Sequence, residues 1–453
     1  PSLRSAVIEM KRADLALRSE LYRYVPIFLL DGRAQLGQRP NLSRTGIISI
    51  QNQSYRLTPG IEQTFPTGTT VSGELSVDRT VQDSVFLGDL GTTWGTDVTL
   101  SVSQPWLRGF GYDVGLAQRK IARAQSAAAI ARRNDEASRL ARDVMTAYWQ
   151  LWQAQREVSI QEQALDVAEQ TLEDAQVRLD AGAIAPSELI PLRREAASIR
   201  EALATSRASL VSRRVELARL LGMETQPGKI RAGGDPPETV SVPDPDDAVE
   251  TARRQSYSLR EQEKQIDQAA ANAAVARDEK LPRLDTTASL AISGLGRELD
   301  PALESLVAAD GLIGLFTLDF QLPLINKSRA ADAQRAALAV DRARKDYESA
   351  EDQVTASVLD QIENLETARK RLDLARETAR LSAENVDFQR TRFENGAATA
   401  LDVAQALQDQ REAELRVANQ RVELATRRLA LDHLTANLLK RLALPSSPIQ
   451  DSP

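Results

Sequence analysis

The side chains that could do chemistry are few in this sequence and do not converge. It has no cysteine and a single histidine, His433, which excludes disulfides, thiolate nucleophiles, zinc ribbons and histidine-pair metal sites. The carboxylates are dispersed along the chain, whereas an enzyme needs an acid, a base or metal ligands that meet in one place. We therefore predict no catalytic residue, no metal site and no cofactor, and we expect His433 to be a structural or interfacial residue of a helix.

The composition indicates long helices with exposed faces. Of the 453 residues, 27% are charged, and the formal net charge is -7. Lys and Arg are interspersed with Asp and Glu, which argues against nucleic acid as a partner. No run of about 18 to 20 apolar residues occurs, so the sequence contains no membrane-spanning helix, although membrane strands need only alternate. Because the first residue is Pro1, we expect any signal peptide to have been removed.

Apolar residues recur every seven positions in two stretches, which is typical of coiled-coil seams. The seams are Val144, Leu151, Val158, Leu165, Leu172 and Leu179 in the first stretch, and Val358, Leu365, Leu372, Ala379, Val386 and Phe393 in the second. The two seams align when the sequence is shifted by a constant number of residues. The same shift aligns Arg178 with Arg392 and Gly182 with Gly396. We infer an internal duplication.

The duplication predicts the organisation of the chain. The predicted parts are a first repeat at 1–232 with long helices at about 113–181 and 186–222, a linker at 233–247, a second repeat at 248–442 with long helices at about 328–394 and 399–440, and a C-terminal tail at 443–453. Gly182 and Gly396 each separate two long helices, because glycine accepts the left-handed conformation that ends a helix. Each glycine therefore predicts a turn between antiparallel helices.

Between the short and long helices of each repeat, the seven-residue apolar repeat gives way to an alternation of apolar and polar residues. Trp94, Val98 and Leu100 share one face of a predicted strand whose other face is polar, and Leu318 and Phe320 do the same in the second repeat. We predict one β-hairpin per repeat, at about 69–104 and 285–322, and so four strands per chain. Trp94 and Trp106 bracket their strand, as interfacial aromatic residues do at a membrane boundary.

Two interpretations of these strands remain open at this point. Four strands are too few to close a barrel, and they leave unpaired edges that are not stable in lipid. Several copies of the chain would therefore have to form the wall of one barrel together. Alternatively, the hairpins form a small cap on a soluble or surface-attached coiled-coil protein with a structural or tethering role.

Over nearly its whole length the chain resembles the TolC-like outer-membrane efflux proteins. The motifs that carry this resemblance are FPTGTTVSGEL (65–75), SQPWLRGFG (103–111), AYWQLWQAQREV (147–158), RLDAGA (178–183), ELARLLGME (216–224), LPRLD (281–285), QLPLINKSR (321–329) and RFENGAATALDVAQA (392–406). Their order, spacing and duplication make the resemblance specific, although each motif alone is weak.

The resemblance implies a mainly α-helical fold with a small membrane β part. A homotrimer would form a 12-stranded β-barrel, four strands per chain, continuous with a periplasmic α-helical barrel. The implied function is that of an exit duct of a tripartite efflux or type I secretion system. It would lie in the outer membrane of a Gram-negative-type envelope, contact outer-membrane lipid, and work with a periplasmic membrane-fusion adaptor and an inner-membrane pump.

The resemblance also implies roles for particular residues. Two periplasmic tips would dock the adaptor through Arg178, Gly182, Ala183 and Ile184 at one tip and Arg392, Gly396, Ala397 and Ala398 at the other. Asp402, Gln405 and Glu188 would lie near the pore aperture, where three copies of Asp402 form a carboxylate ring that attracts cations. Phe393 occupies a position where some relatives use a polar link to close the entrance, and it has no hydroxyl for that link.

Overall fold

A computed structural model of the chain describes residues 2–43, 46–84, 88–223 and 230–444, and the side chains within these ranges except at 38–51 and 82–90. The predicted linker at 233–247 contains the first residues of a helix, and most of the predicted tail at 443–453 lies outside the described residues.

Long helices account for most of the described chain. The helices are α1 (Ser2–Leu21), α2 (Tyr112–Gly115), α3 (Ala117–Asp180), α4 (Leu189–Leu221), α5 (Pro245–Gln255), α6 (Tyr257–Glu279), α7 (Leu299–Val307), α8 (Lys327–Glu394), α9 (Ala400–Leu434) and α10 (Leu438–Arg441). A short 3-10 turn, Pro186–Glu188, precedes α4. Within the described ranges, no helix is both long and apolar enough to cross a membrane.

The heptad seams form the contacts between the long helices. In α3 and α4, Ala168 packs with Ala196 and Ile199, and farther from the turn Leu151 packs with Leu217. In α8 and α9, Leu365 and Leu372 share a buried cluster with Leu424. Each pair of helices therefore runs antiparallel from its turn, with small residues letting the backbones approach.

All strands in the described residues belong to one antiparallel sheet of six, in the order β1-β2-β3-β4-β5-β6. The strands are β1 (Ile27–Ser43), β2 (Gly46–Thr64), β3 (Thr70–Ser84), β4 (Gly88–Pro105), β5 (Arg283–Gly296) and β6 (Gly311–Gln321). The expectation of four strands per chain is therefore wrong. The two hairpins that the sequence indicated correspond to β3–β4 and β5–β6, and β1 and β2 are additional.

The loop between β5 and β6 contains helix α7, which packs on the face of the sheet that carries Val98 and Leu100. A Cβ atom at Gly294 would lie only 2.1 Å from the Ala302 carbonyl oxygen of α7. Thr96 is fully buried there and donates a hydrogen bond to the same carbonyl at 3.0 Å. The missing side chain at Gly294 therefore lets α7 lie directly against the strands.

The chain is organised in two compact units that do not follow the two repeats. One unit consists of Pro1–Val7, Ile130–Glu261 and Tyr347–Pro453 and contains both helix turns. The other consists of Ile8–Ala129 and Gln262–Asp346 and contains the sheet. Each unit takes segments from both repeats.

Candidate functional site

The turns at Gly182 and Gly396 have the same backbone structure. Both glycines have a left-handed φ, +74° at Gly182 and +70° at Gly396. At the first turn, Gly182 donates to the Leu179 carbonyl and Ala183 to the Arg178 carbonyl, both at 2.9 Å. The second turn repeats this pattern from Gly396 and Ala397 to Phe393 and Arg392. Each turn is a Schellman motif, which satisfies the last carbonyls of the preceding helix.

The structure brings the two turns together within one chain. Arg178 donates from Nη1 to the Phe393 carbonyl at 3.0 Å and to the Glu394 carbonyl at 3.3 Å. Its guanidinium carbon lies 5.2 Å from the centre of the Phe393 ring. In the opposite direction, the Glu188 carboxylate accepts from the Ala400 backbone at 3.2 Å. Arg178 and Glu188 therefore each join one helix hairpin to the other.

A compact apolar cluster lies directly behind these links. Phe393, Val403 and Leu189 are buried in it, and the half-buried Ile184 and Ala398 pack against it. Gly182, Ala183, Gly396 and Ala397 remain exposed at the outer surface. Arg392 is also exposed and donates to the Ala397 carbonyl at 2.7 Å, which closes its own turn. The two turns therefore expose small side chains, and the apolar cluster supports them from below.

Asp402 caps the helix that follows the second turn. The backbone N–H and the hydroxyl of Thr399 both donate to Oδ2 of Asp402 at 2.8 Å, and Thr399 caps α9 in return. The hydrogen bond from the Thr399 backbone, followed by that from its hydroxyl, holds the pKa of Asp402 below its ordinary value. Asp402 is exposed and therefore carries its charge at neutral pH. Gln405, also exposed, donates to Asp409 at 3.3 Å.

Two further contacts between the hairpins could not be recognised in the sequence. Arg390 donates to the Thr171 hydroxyl at 3.0 Å, and Arg411 lies 3.5 Å from Glu195 with both side chains largely buried. Their positions in the heptads are polar and resemble many solvent-exposed positions. Only the packing of α8 on α3 and of α9 on α4 distinguishes them.

The sheet in the second unit has one apolar face and one face that is mainly polar. Strand register places Leu100 beside Leu290, and Leu290 beside Gly314, so Trp94, Val98, Leu100, Leu318 and Phe320 all share the face called here the apolar face. The exposed fractions of Leu100, Leu318 and Phe320 are 58%, 61% and 58%. The opposite face carries Asp97, Thr99 and Ser101 on β4 and Thr317 and Asp319 on β6. At the two edges of the sheet this face also carries apolar residues, Ile27 and Leu29 on β1 and Ile313 and Leu315 on β6. This arrangement is typical of a sheet between lipid and water.

The two tryptophans do not bracket their strand as expected. Trp94 lies well inside β4, which begins at Gly88, and Arg79 stacks over its ring at 5.9 Å. Trp106 follows the last residue of β4 and donates from its indole to the Thr286 hydroxyl at 2.9 Å. It is half exposed and stacks on Phe110. Only Trp106 lies at a strand end, where an interfacial aromatic residue would be placed.

His433 is largely buried between helices, where it lies beside a serine hydroxyl and near a carboxylate. Its Nδ1 lies 2.9 Å from the Ser138 hydroxyl, and Nε2 lies 4.0 Å from Asp135, at the limit of an ion pair. Burial, followed by the charges of Arg142 and Arg139, lowers the pKa of His433 to about 4, so the imidazole is neutral at pH 7. Among the described residues, no group of three or more His, Cys, Asp or Glu side chains could hold a metal ion.

The neutral, buried His433 predicts a defined loss of stability in acid. Its pKa in the folded protein is about 4, whereas an unfolded histidine titrates near 6.5, so unfolding takes up a proton between these values. Its contribution is complete above about pH 6.5 and is lost as the pH falls toward 4, by roughly 3 kcal/mol in total.

We expect His433→Gln to remove this part of the pH dependence. Denaturant unfolding of the wild type and the variant at pH 7 and pH 4.5 measures it, and the wild type should lose more stability than the variant. An equal loss in both proteins would show that His433 is protonated as easily when folded as when unfolded.

Comparison with known proteins supports one family. The family model described as outer membrane efflux protein matches residues 70–223 and 248–437, which is more than half of the chain. The matched ranges contain both helix turns and the strands from β3 to β6, whereas β1 and β2 precede them. No curated protein matches the chain.

Solved structures of outer-membrane channels have the same fold. The outer-membrane channel OprN is 17% identical with a TM-score of 0.67, and the alignment covers 96% of this chain and 86% of that one. VceC from Vibrio cholerae is 16% identical with a TM-score of 0.67, covering 96% and 92%. The open state of the MtrE channel from Neisseria gonorrhoeae is 19% identical with a TM-score of 0.64, covering 97% and 87%.

The family match and the fold agree with the geometry of the chain. A sheet with one exposed apolar face suits an outer membrane, and long antiparallel helix pairs suit a periplasmic extension of the kind that this family has. The chain belongs to the outer membrane efflux protein family and is a protein of the Gram-negative-type outer membrane with a periplasmic helical extension.

Proposed function

We propose that the chain is the exit duct of a tripartite efflux or type I secretion system, and that it conducts substrate passively from the periplasm to the exterior. The observation that carries this proposal is the sheet with one exposed apolar face and two open edges. Such edges are not stable in lipid, so further copies of the chain must complete the wall. Three copies form the duct, as the resemblance of the chain implies.

The two turns form the periplasmic entrance in this proposal. Gly182, Ala183, Gly396 and Ala397 offer exposed backbone and small side chains to the hairpin of a membrane-fusion adaptor, which an inner-membrane pump accompanies. Ile184 and Ala398 support this surface from the packed cluster. Arg392 closes its own turn through a bond to a backbone carbonyl, and Arg178 holds the first turn to the second in the same way. Opening consists of an outward shift of the helix hairpins.

Asp402 supplies charge at the aperture in the proposed duct, while Glu188 and Gln405 lie beside it. Glu188 is half-buried and accepts from Ala400, and Gln405 donates to Asp409. Asp402 is therefore the exposed carboxylate among these three positions, and its lowered pKa keeps it charged. Three copies around the threefold axis would attract cations to the entrance.

The role of Asp402 in ion selection can be separated from its role as a cap. Asp402→Asn removes the charge but keeps an oxygen that can accept from Thr399, and we expect the cation-to-anion permeability ratio in planar bilayers to fall by about two-fold or more. Thr399→Ala is the matched control, because it removes the capping hydroxyl and leaves the carboxylate. If both variants keep the ratio of the wild type, Asp402 does not face the ion path.

The proposal is tested by the protein mass of the detergent-solubilised particle, measured by multi-angle scattering with the detergent contribution subtracted. A mass of three chains, recovered from the outer-membrane fraction, agrees with a shared wall. A monomer or dimer that stays in solution without detergent would overturn the proposal, because a lone six-stranded sheet cannot close in lipid.

A further inference from the structure

The β1–β2 hairpin has no counterpart in the second repeat. There, β5 follows α6 and β6 leads to α8, with only α7 between the two strands. In the first repeat, β3 and β4 correspond to β5 and β6, but β1 and β2 lie between α1 and β3. If the repeats arose by duplication, β1–β2 is the part that was inserted or kept in one repeat alone.

We propose that this hairpin is part of the membrane wall, so that each chain contributes six strands and β6 of one copy pairs with β1 of the next. The inference rests on the proposed function, since it needs several copies in one wall. Three copies then supply eighteen strands, and barrels of about 16 to 18 strands enclose an aqueous channel.

The apolar face of β4 continues across β3 and β2, because the residues in register with it are also apolar. Register places Leu75 and Val77 of β3 beside β4, and Val77 beside Leu57 of β2. Leu57 and Ile61 of β2 are 52% and 57% exposed on this face. The opposite face of β2 and β3 is polar, and it carries Arg56, Thr58, Glu62, Ser72, Glu74 and Ser76. A hairpin that lay in water above the membrane would have no reason to keep this alternation.

The pairing of the additional strands is as continuous as that of the others. β1 pairs with β2 over its whole length, from Ile27 with Glu62 to Ser43 with Gly46. β2 pairs with β3 in one register on both sides of Pro59, a residue that has no N–H to donate. These strands have 17, 19 and 15 residues, more than the roughly 9 to 11 that a membrane crossing needs.

The two edges of the sheet are suited to each other. Strands in an antiparallel sheet of six alternate in direction, so β6 of one copy runs antiparallel to β1 of the next and extends the same pattern. The edge residues of the apolar face are largely exposed, with 67% for Phe28 and 63% for Leu30 on β1, and 70% for Phe316 on β6. Pairing of these edges covers the unpaired backbone groups of both strands.

Disulfide cross-linking in native outer membranes shows which strands pair between neighbouring copies. The method suits this chain because it has no cysteine of its own. One cysteine is placed on β6 and one on a candidate partner strand, with several positions per strand to sample the register. The β6 positions are Leu312, Phe316 and Leu318, the β1 positions are Phe28, Leu30 and Ala34, and the β3 positions are Val71, Leu75 and Val77.

We expect the β6 with β1 pairs to give dimers and trimers on non-reducing gels, and the β6 with β3 pairs to stay monomeric. Cross-links from β6 to β3 would overturn the inference, because β1 and β2 would then lie outside a wall of four strands per chain. Cross-links from neither set, in a particle whose mass is three chains, would overturn it as well. A particle of another mass overturns the proposed function instead, so the two failures are distinguishable.

Discussion

We expect Phe316→Arg to abolish assembly in the outer membrane. Phe316 lies in the middle of β6 on the apolar face, with 70% of its surface exposed. An arginine that faces lipid at the midplane of a barrel costs about 2 to 4 kcal/mol, and the proposed trimer would carry three such arginines. The trimer band on a gel of unheated outer-membrane samples should disappear.

The matched control is Thr317→Arg, one residue along the same strand. Thr317 lies on the polar face, also exposed, so its arginine would point into water and the trimer should form as in the wild type. Leu318→Arg, closer to the strand end, should show an intermediate loss, since the cost falls toward the interface. If Thr317→Arg disrupts assembly and Phe316→Arg does not, the faces have been assigned the wrong way round.

The second large effect concerns the proposed periplasmic entrance. Arg178→Ala removes the bonds to the Phe393 and Glu394 carbonyls that join the first hairpin to the second. If the hairpins separate on opening, the loss of about 1 kcal/mol per copy favours the open state by about five-fold per copy. We expect a matching increase in the open fraction of single channels in planar bilayers.

Arg200→Ala provides the comparison for this change. Arg200 of α4 binds Glu169 of α3 through two hydrogen bonds, at 2.7 and 3.2 Å, so it joins helices of the same hairpin. Its removal takes away an exposed arginine contact without loosening the link between the hairpins, and the open fraction should not change. Equal behaviour of the two variants would show that Arg178 does not hold the entrance closed.

The helical part of the structure follows closely from sequence periodicity. Heptad residues such as Leu151, Val358 and Leu365 are fully buried in the contacts between helices, because a sustained seven-residue repeat has only one apolar stripe to pack. The left-handed glycines at 182 and 396 end α3 and α8 as expected. Here the local signals and the packing agree.

The first two strands could not be predicted for a physical reason. β1 begins with Ile27, Phe28, Leu29 and Leu30 in succession, which gives no alternation of apolar and polar residues. β2 contains Pro59 in its interior, and proline argues against a strand inside a sheet. Both signals are overridden by pairing with β3, which the residues of β1 and β2 alone do not reveal.

The links between the two helix turns are also invisible in the sequence. Arg178 and Glu188 both bind backbone groups of the other hairpin, which are distant in the chain. A backbone carbonyl or N–H has no residue signature, so side-chain motifs cannot indicate these contacts. The resemblance drew attention to Glu188 and Phe393, and the structure shows Arg178 as the residue that contacts Phe393.

Single-channel recording of the wild-type particle in planar bilayers tests most directly whether the protein is a conduit. Detergent-purified particles with a mass of three chains should insert and give uniform conductance steps. Particles of that mass that insert but give no steps, also after Arg178→Ala has weakened the entrance, would contradict a passive exit duct.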